Sequence, residues 1–368
     1  VMHAGPVLII GSGLLGASLG LRLRLRDIPV YLEDASPLAA ALARDLGAGE
    51  EPPEDAWEPS LVVVAVPPDV TAQVVSAALE RFPAALVTDV ASVKAAVEDR
   101  LAAHPQRARY VGCHPMAGRE RSGAIAADAD LFEGRPWVIC PRPETREEDI
   151  ARLRTLALDC GAMPILVEAS AHDRAVALVS HVPQLVSSLL AGTLNDAAAT
   201  ELSLAGQGLR DMTRLAHSDP QLWTAIIACN CAAVAPVLRD IAERTAHLAT
   251  ALEEAAGAAQ APGLARAVAA VVAAGGRGVA RIPGKHGGAP QRYTDVTVLV
   301  PDRPGELGRL FTEVGEIGVN IEDFSLEHSV AQKVGRARLS VSPAAARDLT
   351  AALAARRWQA FIEGGEHE

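Results

Sequence analysis

Aromatic side chains are scarce in this chain, at 3% of 368 residues. Hydrophobic residues still make up 49%, so the cores must be built from Ala, Val and Leu. The length suits two or three domains. Positive charge is also short: 34 Lys and Arg stand against 45 Asp and Glu, a net charge of −11 with a pI near 5.4. That balance argues against a nucleic-acid or anionic-membrane surface. The cysteines are few and odd in number (Cys113, Cys140, Cys160, Cys229, Cys231), with no C-x-x-C. Neither a disulfide framework nor a metal site is indicated, and reduced thiols are expected. No basic segment precedes an apolar core at the start, and no apolar run reaches about 18 residues. The expectation is a soluble, cytoplasmic protein with no membrane or nucleic-acid partner.

What is present begins at Val7-Leu8-Ile9-Ile10, a short buried strand, followed by Gly11-Ser12-Gly13-Leu14-Leu15-Gly16 and a helix. In this strand–G-x-G-x-x-G–helix order, Gly11 allows a sharp turn. Gly13 lets the backbone approach a pyrophosphate, and Gly16 lets the helix pack close to the strand. A second strand, Val30-Tyr31-Leu32, ends in Glu33-Asp34. Asp34 sits where an acid hydrogen-bonds the adenosine ribose, and no arginine follows to receive a 2′-phosphate, so NAD is expected over NADP. As an alternative, Asp34 or Ser36 caps the helix that starts near Pro37. Val66 and Pro67, closing the next apolar run, are further candidate cofactor contacts.

Apolar runs at 60–66, 85–90, 110–113, 137–140 and 163–167 alternate with helical stretches. The alternation predicts an α/β, doubly wound Rossmann-type parallel sheet over residues 1–168. From 169 to 274 no strand-like run occurs, and helices are predicted at 171–195, 196–204, 218–245 and 248–274. The first is apolar on most sides, which predicts burial between two subunits and hence a homodimer. Residues 275–291 are Gly-rich and basic and read as a linker or, less simply, a binding segment. Residues 292–368 restart with a βαββαβ order, the ferredoxin-like plan.

Two polar segments fall just past strand ends, where open α/β sheets bind ligands. One places Ser92 in Asp89-Val90-Ala91-Ser92-Val93-Lys94; the other places His114 in His114-Pro115-Met116-Ala117-Gly118. Oxidation of an alcohol carbon needs a base for the hydroxyl proton, which suits His114, and a hydroxyl partner, which suits Ser92. Ser92 also reads as a helix N-cap. A third segment, Asp211-Met212-Thr213-Arg214, offers a forked cation for an anionic substrate, unless Arg214 serves only to neutralise Asp211. His181 and Gln184, one turn apart, face the same way. Cys113 lacks an activating pair and reads as a buried thiol. His104, His172, His217, His247, His286 and His328 read as surface or linker residues.

Taken together with Ser180-His181-Val182-Pro183 and Ser218-Asp219-Pro220, these segments resemble the prephenate and arogenate dehydrogenases over residues 6 to 250. The last part, with Asp302-Arg303-Pro304-Gly305 and Gly318-Val319-Asn320-Ile321, resembles an ACT domain, a small amino-acid-sensing module. The resemblance implies NAD-dependent oxidative decarboxylation of prephenate to 4-hydroxyphenylpyruvate, or of arogenate to tyrosine. It implies His114 as base, Ser92 as its hydroxyl partner, Arg214 as carboxylate clamp, and His181 and Gln184 in the substrate pocket. It also implies tyrosine or another amino acid as an effector, held near Asp302, Gly305 and Asn320. Two departures stand out. Gln184 occupies a place where several relatives carry a second histidine, which bears on the choice between a keto and an amino side chain. Arg119 replaces a common threonine and adds anion attraction near the cofactor mouth. A β-hydroxyacid dehydrogenase is the rival enzyme, but the 171–195 helix contains no lysine for its acid–base step. A catalytically dead amino-acid sensor is the rival of another class.

Overall fold

A computed structural model describes residues 5–54, 57–118, 123–256, 262–283, 293–328 and 334–362. The chain divides into two compact units, 1–245 and 246–368. The first holds a seven-stranded sheet: β1 (Val7–Ile10), β2 (Val30–Glu33), β3 (Leu61–Val64), β4 (Leu86–Asp89), β5 (Tyr110–Pro115), β6 (Pro136–Cys140) and β7 (Met163–Leu166). Their order is β2-β1-β3-β4-β5-β6-β7. Helices α1 (Leu14–Arg24), α2 (Pro37–Asp45), α3 (Pro68–Arg81), α4 (Ala95–Arg100) and α5 (Glu147–Asp159) connect them. One apolar cluster holds Ile9, Leu23, Leu32, Trp137 and Leu153; another holds Leu8, Val62, Val75, Leu79 and Tyr110. The central strands are therefore buried on both sides, as their unbroken apolar runs require. The strand order reverses at β1, which puts a ligand crevice beside the β1–α1 turn.

The expected parallel sheet holds for β2, β1, β3, β4 and β5, but β6 runs antiparallel to β5, with β7 parallel to β6. The described residues between β5 and β6 carry only a 3-10 turn at Ala124–Ala126. With no crossover helix there, the chain returns beside the strand it has just left.

No strand occurs among the described residues between Leu166 and Thr294. The predicted 171–195 helix is two helices, α6 (Ala169–Val176) and α7 (Val182–Gly192), joined by a π turn at Ala177–His181. Pro183 explains the break: it has no N–H to give and its ring crowds the carbonyl four residues back. After α8 (Ala199–Leu202) and α9 (Gln207–Thr213) comes α10 (Pro220–Ala256), with a non-helical residue at Asn230. The gap expected near 246 is absent.

The second unit contains α11 (Pro262–Val279), which overturns the start of the predicted linker. Gly275, Gly276 and Gly278 are helical, carried by the Ala- and Val-rich turns before them; residues 284–292 lie outside the described residues. A four-stranded antiparallel sheet follows, ordered β11-β8-β10-β9: β8 (Thr294–Pro301), β9 (Asp323–His328), β10 (Val334–Val341) and β11 (Gln359–Ile362). Helices α12 (Glu306–Ile317) and α13 (Pro343–Ala355) complete the expected βαββαβ order around Val298, Leu310, Leu339, Leu353 and Trp358. Strand β9 starts at Asp323, four residues later than Val319, where the sequence placed it.

Two helical stretches, Ala169–Asp196 and Pro220–Ala256, are long and apolar enough by composition to cross a membrane, although no unbroken apolar run announces them. Their buried faces carry His172, Asp173, His181, Gln184 and Asn230, all hydrogen-bonded. Asp173 is tied to the β4–α4 turn, and buried polar groups with protein partners are the mark of a protein core.

Candidate active site

The glycine turn forms as its spacing requires. Gly11 has φ +106°, and a Cβ there would stand 2.3 Å from the Ala65 carbonyl oxygen. At Gly16 a Cβ would stand 1.9 Å from the Gly11 carbonyl oxygen, so no side chain fits. The space over Gly13, by contrast, is open to 4 Å. That opening, next to the first turn of α1 at Leu14 and Leu15, fits a pyrophosphate on backbone N–H groups. Asp34 Oδ2 accepts from Ser12 N (2.7 Å) and Ser12 Oγ (2.9 Å), which pins the end of β2 to the turn. The cap of α2 is Ser36, whose Oγ accepts from Ala39 N. Asp34 is therefore not needed as that cap. Val66, two residues past β3, approaches the turn from the other side, and Thr71 Oγ1 holds the carbonyls of Val66 and Pro67. These residues fit a dinucleotide.

Ser92 follows β4, and His114 is the next-to-last residue of the neighbouring β5; the two strands pair in parallel as Asp89↔Gly112. Ser92 is half-buried in a bend, and α4 starts only at Ala95. Its reading as the cap of that helix is thus excluded. The free N–H groups of Lys94 and Ala95 are taken instead by the Asp173 carboxylate, at 2.8 and 2.9 Å.

His114 is half-buried, and its Nδ1 lies 2.8 Å from Nε2 of His172. His172 Nδ1 lies 2.8 Å from Asp173 Oδ1. Burial, with His172, Lys94 and His181 nearby, holds the His114 pKa well below the ordinary histidine value. It is therefore a neutral base at pH 7. Placing His172 on the surface was wrong: it is 2% exposed. The available signal was a His-Asp pair near the start of a predicted helix apolar on most sides, where buried polar groups must find partners.

Lys94 and Asp89 are fully buried and joined Nζ to Oδ2, while Tyr110 Oη donates to Asp89 Oδ1 at 2.7 Å. The strand-end segment thus brings its own anchored ion pair. Cys113 is buried and its thiol is pushed up to about 11 by that burial, which excludes it as a nucleophile.

From the helices, His181 is 1% exposed, and burial lowers its pKa to about 4. Asn230 Nδ2 donates to Asp173 O (2.9 Å) and to His181 Nδ1 (3.1 Å). Gln184 is buried too, but its amide is engaged within the protein. Nε2 donates to Leu215 O at 2.7 Å, and Oε1 accepts from Ser218 Oγ at 3.3 Å. Arg214, itself exposed, opens the 3-10 turn Arg214–Ala216 that Gln184 holds. In the second unit, Asp302 and Gly305 lie exposed between β8 and α12, where Gly305 has φ +90°. Asn320 donates to Glu322 Oε1. Arg119 lies outside the described residues.

Two family models match the chain: "Prephenate dehydrogenase, nucleotide-binding domain" over residues 17–166 and "Prephenate dehydrogenase, dimerization domain" over 168–268. A probable prephenate dehydrogenase of Streptomyces niveus is 37% identical over 361 residues, 96% of this chain and 98% of that protein. The crystal structure of Aquifex aeolicus prephenate dehydrogenase with hydroxyphenyl propionate and NAD+ is 26% identical. It aligns with a TM-score of 0.64 over 74% of this chain and 98% of that one. Arogenate dehydrogenase of Synechocystis aligns at 27% identity and a TM-score of 0.58, over 74% and 99%.

Proposed function

The chain belongs to the prephenate dehydrogenase family and is an NAD-dependent oxidoreductase, and on that premise we propose that it converts prephenate to 4-hydroxyphenylpyruvate and CO2 with His114 as general base. The observation that carries this reading is the state of His114: at a sheet tip, neutral through burial, with one ring nitrogen committed to His172. The other nitrogen is the one that takes the proton of the substrate's C4 hydroxyl. When bound, NAD+ supplies the acceptor for the hydride that leaves C4. The 11–16 turn holds its pyrophosphate, Asp34 its ribose, and Val66 and Pro67 its opposite side.

Ser92 donates or accepts a hydrogen bond at the same C4 hydroxyl. Arg214 pairs with a substrate carboxylate. His181, whose Nδ1 accepts from Asn230, carries its hydrogen on Nε2 and donates it to the substrate. Gln184 acts through Leu215 and Ser218, holding the turn that carries Arg214 in place.

The dimerization-domain match supports a homodimer. Leu178, Val179 and Leu189, each about 60% exposed in the single chain, are apolar surface for the partner to cover. Residues 292–368 serve as an ACT-like regulatory module, with Asp302, Gly305 and Asn320 receiving an amino acid such as tyrosine.

The test follows reduced-cofactor absorbance with prephenate or arogenate, each with NAD+ and NADP+. Prephenate with NAD+ is expected to give the highest kcat/KM; a preference for arogenate or NADP+ overturns the assignment. In the same assay Arg214→Ala is expected to raise KM about 10–100-fold, the worth of a charge-assisted hydrogen bond, with a smaller change in kcat. An unchanged KM removes Arg214 from the substrate.

A further inference from the structure

We propose that His172, backed by Asp173, is a positioning residue for His114: it selects the tautomer whose Nε2 is bare, and it shares the proton which that nitrogen takes up. The proposal rests on the reading of His114 as the base.

The deduction starts at Asp173, whose carboxylate offers only acceptors. Its Oδ1 is 2.8 Å from His172 Nδ1, so that nitrogen carries the hydrogen. In a neutral imidazole the second nitrogen is then bare. His172 Nε2 therefore accepts at 2.8 Å, and His114 Nδ1 is the donor. With its hydrogen on Nδ1, His114 keeps a lone pair on Nε2. The far end of this chain is itself fixed. Asp173 also accepts from the Lys94 and Ala95 N–H groups, and its carbonyl accepts from Asn230. His172 and Asp173 are 2% and 4% exposed, so their hydrogen bonds are not loosened by water.

The reaction adds a reason for two rings. Turning a cyclohexadienol into a phenol, with loss of CO2 and of a hydride, releases no net proton. The C4 O–H bond breaks as the carbonyl develops. An O–H bond forms again as the C–CO2 bond breaks and its electrons make the ring aromatic. The base must therefore hold a proton between the two steps and return it. On His114 alone the positive charge would face His172, Lys94 and His181 in a buried place, which disfavours it. If the Nδ1–H bond of His114 breaks and one forms at His172 Nε2, the charge moves onto a ring already bonded to the Asp173 carboxylate. The reverse transfer restores His114 for the second step. No atom or electron is gained or lost.

The experiment uses full-length protein labelled with 15N-histidine, with NAD+ bound. The nitrogen shifts of wild type are expected to show His114 protonated at Nδ1 and bare at Nε2, and His172 protonated at Nδ1. His172→Phe keeps a planar ring and removes both bonds. It is expected to abolish the His114 preference and to lower kcat about 10²-fold, the order lost when the partner orienting a functional histidine is removed, with KM changed less than about 2-fold. In His172→Gln the amide oxygen accepts from His114 Nδ1 but cannot take up its proton. That variant is expected to restore the tautomer and only part of kcat. A wild-type His114 protonated at Nε2, or kcat within about 2-fold of wild type in both variants, overturns the proposal. If His172→Phe does not fold, the wild-type tautomer decides. Full turnover in His114→Asn would instead remove the base itself, so the two failures are distinct.

Discussion

The two sides of the site are built by different means. On the cofactor side the working parts are backbone: a turn with no room for side chains at Gly11 and Gly16, an opening over Gly13, and one acid 22 residues beyond Ser12. On the proton side the working parts are side-chain atoms. His114 meets His172 across 58 residues of sequence, and Asp173 reaches the Lys94 N–H across 79. A backbone cradle depends on what is absent at a few consecutive positions. A relay depends on the arrival of particular atoms from separate elements. The first should fail through crowding, and the second through loss of a single polar group.

The sharpest test of that contrast is His114→Asn. It is expected to lower kcat by about 10²–10⁴, the usual worth of a general base, while NAD+ affinity stays within about 2-fold. Calorimetric titration of NAD+ beside steady-state kinetics checks both halves. A parallel loss of cofactor affinity would mean that the two sides are not separable.

The same contrast explains what could be read in the chain beforehand. The strand–turn–helix at 7–24 and the acid at 34 are contiguous and periodic, so they declare themselves. Ser92 lies just past the end of β4, as its apolar run announces, whereas β5 runs on beyond its apolar run and takes in His114 near its tip. The antiparallel β6 was not legible, because direction depends on the absence of a crossover helix. His172 was misread because its partners, His114 and the β4–α4 turn, are brought by folding. The break in the 169–192 helix was masked by good helical periodicity on both sides of Pro183. Gln184 was rightly seen to face the same interior as His181, but the carbonyl it holds, Leu215, is 31 residues away. The glycines at 275–278 suggested a flexible link, whereas the apolar turns before them continue the helix.

Gly16→Ala probes the cradle. The added methyl would sit 1.9 Å from the Gly11 carbonyl oxygen, and that oxygen is backbone, so it cannot swing aside as a side chain would. The turn must open. A cost of about 2–3 kcal/mol is expected, at the upper end for overpacking, visible as a lower denaturation midpoint and NAD+ affinity weakened about 10-fold or more. Unchanged NAD+ binding in a folded variant would mean that close packing at this turn is not what shapes the cofactor side.

The smallest effect expected concerns His181, whose pKa burial lowers to about 4 while its Nδ1 stays hydrogen-bonded to Asn230. The unfolded chain, with an ordinary histidine pKa near 6.5, binds this proton more readily than the folded one. The contribution to stability is therefore complete above about pH 6.5 and is lost as the pH falls from there towards 4. After allowance for solvent screening it amounts to about 1 kcal/mol between pH 6.5 and 5. Denaturant midpoints of wild type and His181→Asn should therefore converge as the solution is acidified over that range. Parallel curves would show that His181 takes up its proton as easily in the fold as out of it, and the proton side would then be less closed than its hydrogen bonds imply.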